Sequence, residues 1–171
     1  MTNLATFADI KAVRPISNLV NSEARADMYL TEAQNFDVAQ SIGIAMIADL
    51  ITNPSTAPNA LLLSGGTYTY NNTTYECLGL KKAIAYYAYS RILKNNPVNA
   101  TAFGIVQKQS DFSDPSPVAN IAAAVRDAEA AGRFVLQSCI DLIQRNPANY
   151  PLSTCIARPR TNTPRFKSIG N

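Results

Sequence analysis

A helical pattern that runs from Pro117 to about Arg145 constrains the fold of this chain more than any other feature. Ser116 is a suitable N-cap, Pro117 suits the first helical position, and Asn146-Pro147 ends the pattern. At roughly 1.5 Å per residue, the predicted helix is about 40–45 Å long. Its apolar seam has a near-heptad repeat and consists of Val118, Ile121, Ala122, Val125, Ala128, Gly132, Val135, Cys139 and Ile143. The small residues in this seam allow another helix to approach closely, and that helix need not belong to the same chain.

Two shorter helices are predicted in the N-terminal part of the chain. The first begins at about Glu23 with Ser22 as its N-cap, and Asn35-Phe36-Asp37 interrupts it. Asp37 is then expected to cap a second, mostly apolar helix, which ends near Ile51. Residues 1–21 show no comparable pattern, so we expect them to form an irregular arm.

A further helix is predicted over residues 79–95, before Asn95-Asn96-Pro97. Lys81 and Lys82 open it, where the helix dipole does not favour cations, so they either face solvent or meet an acidic partner. Arg91 lies on its apolar side, among tyrosines. This position suits a snorkelling side chain, a stacked guanidinium or an ion-pair anchor.

A β-hairpin is the sharpest local prediction. Residues 67–70 and 73–77 alternate in character, and Asn71-Asn72 can adopt the positive φ angles of a two-residue turn. Two strands alone are marginally stable in water, so the tyrosine-rich face must pack on the chain's own helices, which we favour, or on a neighbouring subunit. We expect an apolar turn at residues 60–63 and an extended segment at 98–109 with its strand at 102–106. The tyrosines of the hairpin are Tyr68, Tyr70 and Tyr75.

These patterns predict a mainly α fold, a helical bundle with one long helix in its C-terminal half, a small β-hairpin and an extended C-terminal tail. The chain divides into an N-terminal arm (1–21), a helical domain (22–155) that contains the hairpin at 67–77, and a basic tail (156–171). The first 15 residues lack the apolar core of a secretory signal, and no window is long and apolar enough to predict a membrane span.

The composition argues against an enzyme. The chain has no histidine, which removes Ser-His-Asp and Cys-His catalysis and every histidine-containing metal site. No phosphate-binding glycine motif is present, and the carboxylates are scattered, so we predict no catalytic residues, no metal and no cofactor. Cys77, Cys139 and Cys155 are odd in number and far apart in sequence, and we expect three reduced thiols.

Positive charge is concentrated at the C-terminus. Residues 1–155 carry 11 basic and 12 acidic side chains, whereas the last 16 residues carry four basic ones and no acidic one. The candidate contact residues of this tail are Arg158, Arg160, Arg165, Phe166 and Lys167. Such a tail can dock in the acidic groove of a partner protein, with Phe166 as an apolar anchor, which we favour. Binding to nucleic acid and an idle tail are the alternatives.

A succession of short blocks between about residues 30 and 171 resembles head–tail connector (adaptor, or ring) proteins of tailed bacteriophages, in particular crAss-like and other Bacteroidetes phages. The blocks are Glu32-Ala33-Gln34-Asn35 with Gly43, Ser64-Gly65-Gly66-Thr67-Tyr68-Thr69-Tyr70, Tyr75 with Cys77, Gly79-Leu80-Lys81-Lys82-Ala83, Tyr86-Tyr87-Ala88-Tyr89-Ser90-Arg91, Thr101-Ala102-Phe103-Gly104-Ile105-Val106-Gln107-Lys108, and Arg165-Phe166-Lys167-Ser168-Ile169-Gly170.

The resemblance implies a mostly helical, non-enzymatic virion protein that is made in the host cytoplasm and located at the head–tail interface. It also implies a ring, expected to be dodecameric, that binds the phage portal and other neck or tail proteins. DNA would pass through the ring without sequence-specific contacts, and no membrane is involved. The three hairpin tyrosines, Lys81, Lys82 and the five tail residues are then the candidate interface residues. The alternative is a small helical binding module that uses its basic tail on nucleic acid or an acidic partner.

Overall fold

Helices dominate the computed structural model, which describes residues 2–14, 23–95, 98–101, 104–107 and 118–155. Within these ranges the helices are α1 (Phe7–Val13), α2 (Glu23–Glu32), α3 (Ala39–Ile42), α4 (Ile44–Thr52), α5 (Ala57–Ser64), α6 (Leu80–Asn95) and α7 (Val118–Arg145). A π-helical turn (Ala33–Val38) joins α2 to α3, and a 3-10 turn (Pro147–Asn149) follows α7. The strands are β1 (Gly66–Tyr70), β2 (Thr73–Cys77), β3 (Val98–Thr101) and β4 (Gly104–Gln107).

The core forms where α6 packs along the second half of α7. From Ala128 to Ile143 the predicted seam of α7 is buried, and a Cβ atom placed on Gly132 would lie 3.2 Å from the ring of Tyr87. Earlier in the helix the seam is open, because Ala122 is exposed. The close helix partner that the small residues predicted is therefore α6 of the same chain. The predicted fold class, mainly helical with one long helix and a small hairpin, is confirmed.

The expectation of irregular structure at the N-terminus is wrong for Phe7–Val13, which form α1. The backbone amide of Thr6 donates to a carboxylate oxygen of Asp9 at 2.7 Å and helps to start the helix. Phe7 and Ile10 are buried, and α1 packs against α6. A helix of two turns presents too few apolar residues to show a period in the sequence, and tertiary packing stabilises it.

The helix break predicted at residues 35–37 lies elsewhere. The chain continues through a π-helical turn at that point, and the break comes at Gly43, whose φ of 95° separates α3 from α4. Asp37 caps no helix, because its carboxylate is bound by Arg91, with 2.7 Å between Arg91 Nη2 and Asp37 Oδ2. Arg91 Nη1 also lies 3.4 Å from Glu32 Oε2. The ion-pair role considered for Arg91 is confirmed, and its guanidinium carbon also lies 5.8 Å from the centre of the Phe36 ring.

Residues 60–63 are not a turn but belong to α5, which has Pro58 in its first turn, where a missing backbone N–H does no harm. The hairpin that follows is confirmed, with Asn71 and Asn72 at φ angles of 48° and 59° and Tyr68 opposite Tyr75. The segment expected to be extended, 98–109, contains two strands, β3 and β4, which pair as a second antiparallel hairpin. The strand predicted at 102–106 is therefore wrong in its bounds, and residues 102 and 103 lie outside the described residues. The predicted caps Ser22 and Ser116, and Pro117, lie outside the described residues.

Candidate functional site

The hairpin of β1 and β2 extends from the helical body with most of its surface exposed. Only Cys77, at the end of β2, is buried, and Tyr68 and Tyr75 are half-buried. Tyr70 is exposed on 38% of its surface. The face with Tyr68 and Tyr75 therefore meets the chain's own helices, as favoured from the sequence, whereas Tyr70 is available to another molecule.

Arg145, the last residue of α7, fixes the position of the two half-buried tyrosines. Its guanidinium carbon lies 3.7 Å from the centre of the Tyr75 ring, and its Nη1 donates to the Tyr68 hydroxyl at 2.9 Å. The rings of Tyr68 and Tyr75 are stacked, with centroids 5.7 Å apart. Burial raises the pKa of the Tyr68 hydroxyl, and the hydrogen bond from Arg145 opposes that rise. The hydroxyl is thus held neutral as the acceptor for a permanent cation.

The base of the hairpin is held by a close backbone crossing. Gly65 and Gly79 have φ angles of 84° and 89°, and a Cβ atom on Gly79 would lie 2.8 Å from the backbone nitrogen of Gly65. Only glycine allows the chain entering β1 and the chain leaving β2 to approach so closely. Beside the crossing, the Leu78 backbone amide donates to the Ser138 hydroxyl of α7 at 3.0 Å. The hairpin thus has a fixed base and an exposed outer end.

Lys81 and Lys82 lie in the first turn of α6, apart from the aromatic cluster. Lys82 is exposed and Lys81 is half-buried, and both line a surface cleft of about 490 Å³ between α6 and α1. Asp9 also lines this cleft, yet neither lysine forms a salt bridge with any residue that the structure describes. Within the chain both lysines thus face the cleft, and their contact with an acidic partner stays a prediction.

The five tail residues proposed as contacts, Arg158, Arg160, Arg165, Phe166 and Lys167, lie outside the described residues. The segment that leads to them is anchored at the break between α3 and α4. There the Ser153 hydroxyl and the Thr154 amide both donate to the Ile42 carbonyl at 3.0 Å. The side chain of Thr154 also packs so closely on Gly43 that a Cβ atom there would lie 2.8 Å from its methyl carbon. The point at which the tail leaves the body is therefore fixed.

Two features of the surface were missed from the sequence. Arg145 carried no signal beyond its place at a helix end, because its tyrosine partners lie about 70–77 residues earlier in the chain. Phe134, in the middle of α7, is exposed on 71% of its surface, and Phe36, in the π-helical turn, on 58%. The helical period places Phe134 off the apolar seam, and that period was the signal that could have identified it.

A polar cleft of about 320 Å³ lies between the π-helical turn, α6 and α7. Each of its two carboxylates lies near a guanidinium group: Asp37 Oδ2 is 2.7 Å from Arg91 Nη2, and Glu129 Oε2 is 4.0 Å from Arg133 Nη1. Among the described residues, no group of three or more Cys, Asp or Glu side chains converges in a way that could hold a metal ion. No helix in the described part of the chain is long and apolar enough to cross a membrane.

Comparison with known proteins gives a single positive result. A family model described as "Family of unknown function (DUF6712)" matches residues 38–163, about three quarters of the chain. The matched region contains the hairpin, its glycine crossing, α6 and α7. The comparisons with curated proteins and with solved structures found no match.

Proposed function

This chain belongs to the DUF6712 family, and we propose that it is a non-enzymatic virion protein, a head-to-tail adaptor of a tailed bacteriophage. In this proposal, copies of the chain form a ring, expected to be dodecameric, beneath the portal protein and continue the channel for the DNA. The resemblance of residues 30–171 to head–tail connector proteins motivates the proposal. The exposed hairpin on a fixed base is the observation that carries it.

The hairpin supports a role in assembly because it combines exposure with a fixed position. Arg145 and Ser138 of α7 hold its base, whereas most of its residues are exposed. In the described residues the sheet contains β1 and β2 alone, so the outer edges have unpaired backbone groups. Such edges readily pair with another chain. A fixed edge with Tyr70 beside it is suited to contact with a neighbouring subunit.

A closed ring needs a second, different surface on each subunit, because its interfaces are heterologous. The outer face of α7 offers one. Ala123, Ala130 and Phe134 are exposed and recur at intervals of seven and four residues on one side of this helix. The alanines leave room for close approach, and Phe134, at the C-terminal end of this row, supplies exposed apolar area. We assign the hairpin and this face of α7 to the two sides of the contact between neighbouring subunits.

The distribution of charge supports separate roles for the body and the tail. The body, residues 1–155, is nearly neutral, and the four cations of residues 156–171 follow the anchored segment at Ser153 and Thr154. We assign the tail to an acidic surface of the portal or of another neck protein. DNA in the channel would then meet a nearly neutral body, which accords with passage without sequence-specific contacts.

The deciding experiment is to co-express the chain with the portal protein encoded in the same genome and to image the purified complex by cryo-electron microscopy. We expect a ring of this chain on one face of the portal, with twelve-fold symmetry and with the hairpin at the contact between subunits. A monomer in solution without the portal is compatible with the proposal. Portal particles that remain bare when this chain is in excess would contradict it.

Variants distinguish the role of the tail from that of the contact between subunits. Deletion of residues 158–171 removes no described element, so we expect a folded chain that fails to join the portal. Tyr70→Ser and Phe134→Ser should weaken contact between subunits while helical circular dichroism is retained. Lys94→Ala, an exposed change at the end of α6, is the matched control and should assemble normally. Normal assembly of the truncated chain would contradict the role of the tail.

The alternative function is binding to nucleic acid through the tail, and it can be tested with the same purified protein. It requires affinity for duplex DNA that falls steeply with salt, with a slope of about −0.9 for each phosphate neutralised. Four tail cations set an upper limit of four such contacts from the tail. Absence of DNA binding at low salt, together with portal binding, supports the adaptor; the reverse result supports the nucleic-acid module.

A further inference from the structure

Cys77 and Cys139 are neighbours in space although 62 residues separate them in the sequence, and their Sγ atoms are 3.6 Å apart. Cys77 is the last residue of β2, and Cys139 lies in the second half of α7. Both thiols are free, and the two residues are 1% and 0% exposed. The pair therefore lies inside the junction between the hairpin and the core.

The contacts beside this pair keep the two cysteines together. Leu78 and Ser138, the residues next to them, are joined by the hydrogen bond from the Leu78 amide to the Ser138 hydroxyl. That hydroxyl in turn donates to the Val135 carbonyl at 2.7 Å. A disulfide requires a distance of about 2.05 Å between sulfur atoms, so the two must approach by roughly 1.5 Å.

We propose that Cys77 and Cys139 are a redox modification site, at which a small-molecule disulfide such as oxidised glutathione converts the two thiols into an intramolecular disulfide. The inference rests on the geometry of the pair and is independent of the proposed function. The disulfide would link the base of the hairpin covalently to α7. Both elements take part in the proposed contact between subunits.

The thiol–disulfide exchange with oxidised glutathione takes place in two steps. The Cys77 thiolate attacks one sulfur of the oxidant, a bond forms between them, and the first glutathione leaves as a thiolate that takes up the proton lost by Cys77. The sulfur of Cys139, after losing its proton, then attacks Cys77 and displaces the second glutathione, which takes up that proton. Two protein thiols are oxidised, and one glutathione disulfide is reduced to two thiols.

The order of the two steps follows from the hydrogen bond between the sulfurs. That hydrogen bond lowers the pKa of Cys77, and it raises the pKa of Cys139, which burial raises further. Cys77 is therefore the first nucleophile. Cys77 also lies on a two-stranded hairpin, which opens more readily than a core helix and gives the oxidant access.

Cys155 provides the internal comparison. It is only partly buried, and its Sγ lies 3.0 Å from the Ser153 hydroxyl. In the described part of the chain Cys155 forms no hydrogen bond with Cys77 or Cys139, so we expect its thiol to form a mixed disulfide with glutathione or to remain free. Replacement of Cys155 by serine therefore leaves a chain in which only the proposed pair can react.

The test uses full-length Cys155→Ser protein equilibrated with oxidised glutathione and then analysed by intact mass, peptide mapping and thermal unfolding. We expect the loss of two hydrogen atoms, a peptide that links Cys77 to Cys139, and a rise in Tm of roughly 5–10 °C that dithiothreitol reverses. Cys77→Ser/Cys155→Ser, with a single buried thiol, is the control and should show no such rise.

Three results would overturn the proposal. They are two thiols that persist after prolonged equilibration, glutathione adducts without the internal link, and a link that leaves Tm unchanged or lowers it. The effect of the disulfide on Tm can be measured even if the control variant does not fold, because the oxidised and reduced forms of Cys155→Ser differ only in the disulfide. Hydrogen exchange of residues 66–77, slowed in the oxidised form, gives a second measurement on the same protein.

Discussion

The guanidinium carbon of Arg145 lies 3.7 Å from the centre of the Tyr75 ring, and the same side chain donates a hydrogen bond to Tyr68 on the opposite strand. One residue at the end of α7 therefore contacts both strands of the hairpin. A cation over the face of an aromatic ring is attracted by its quadrupole. This contact connects α7, the longest of the described helices, to a hairpin that is mostly exposed.

Arg145→Ala should loosen the hairpin without unfolding the helices. We expect faster hydrogen exchange of the amides in residues 66–77, a weaker tyrosine signal in near-UV circular dichroism, and a further rise in the pKa of Tyr68, because the cation that lowers it is gone. Arg126→Ala, an exposed change on the same helix, is the control and should leave the hairpin signals unchanged. Unchanged exchange in Arg145→Ala would show that the base of the hairpin suffices to hold it.

Gly79→Ala and Gly132→Ala compare one substitution in two environments. At Gly79, φ is 89° and the new Cβ would lie 2.8 Å from the backbone of residues 64 and 65, which cannot move aside. We expect a loss of roughly 2–4 kcal/mol in the free energy of unfolding. At Gly132 the new Cβ meets only the Tyr87 ring at 3.2 Å, and the better helix propensity of alanine, about 1 kcal/mol, offsets that contact. Urea denaturation of both variants measures the difference, and equal losses would contradict the backbone argument.

Local signals predicted the hairpin and the long helix well. Asn71-Asn72 takes the positive φ angles that its residue types favour, and the seam of α7 is buried wherever α6 covers it. What the sequence did not predict depends on distant residues. The chain continues past Asp37 in a π-helical turn, where Arg91, 54 residues later, binds that carboxylate. The pairing of Cys77 with Cys139 is likewise a product of the fold.

The candidate site, too, was predictable from the sequence only where the signal is local. The sequence indicated that Tyr68, Tyr70 and Tyr75 share a hairpin, because alternation is local. Which of them would be covered depends on Arg145, about 70–77 residues away, and that contact has no local signature. Phe134 lies off the apolar seam of α7, and a large exposed apolar residue outside such a seam is a signal for a contact surface.

The ion pair of Arg91 and Asp37 should make a measurable contribution to stability. Arg91 donates to Asp37 Oδ2 from both Nε, at 3.2 Å, and Nη2, at 2.7 Å, and about a quarter of each side chain is exposed. In a double-mutant cycle of Arg91→Met and Asp37→Asn, we expect a coupling of about 1–2 kcal/mol that falls with salt. The partly exposed pair is worth less than a fully buried one. A coupling near zero would assign the π-helical turn to packing alone.

Alkaline pH should destabilise the protein through its buried tyrosines. Tyr150 is 1% exposed and donates its hydroxyl to the Pro58 carbonyl at 2.8 Å, and burial raises its pKa above the ordinary value of 10. Burial also raises the pKa of Tyr87 and of Tyr68. Above about pH 10 the unfolded chain releases these protons while the folded chain retains them, so the free energy of unfolding falls. Each such tyrosine lowers the free energy of unfolding by at most about 1.4 kcal/mol per pH unit.

Tyr150→Phe isolates one of these groups. At neutral pH we expect a loss of about 1 kcal/mol, since the hydrogen bond to the Pro58 carbonyl is removed. Above pH 10 the variant should lose stability less steeply than the wild type, because the phenylalanine has no proton to release from the unfolded state. Thermal unfolding between pH 7 and 11 measures both effects, with Tyr70→Phe on the exposed hairpin as the matched substitution. Equal alkaline slopes in Tyr150→Phe and the wild type would show that Tyr150 does not carry the effect.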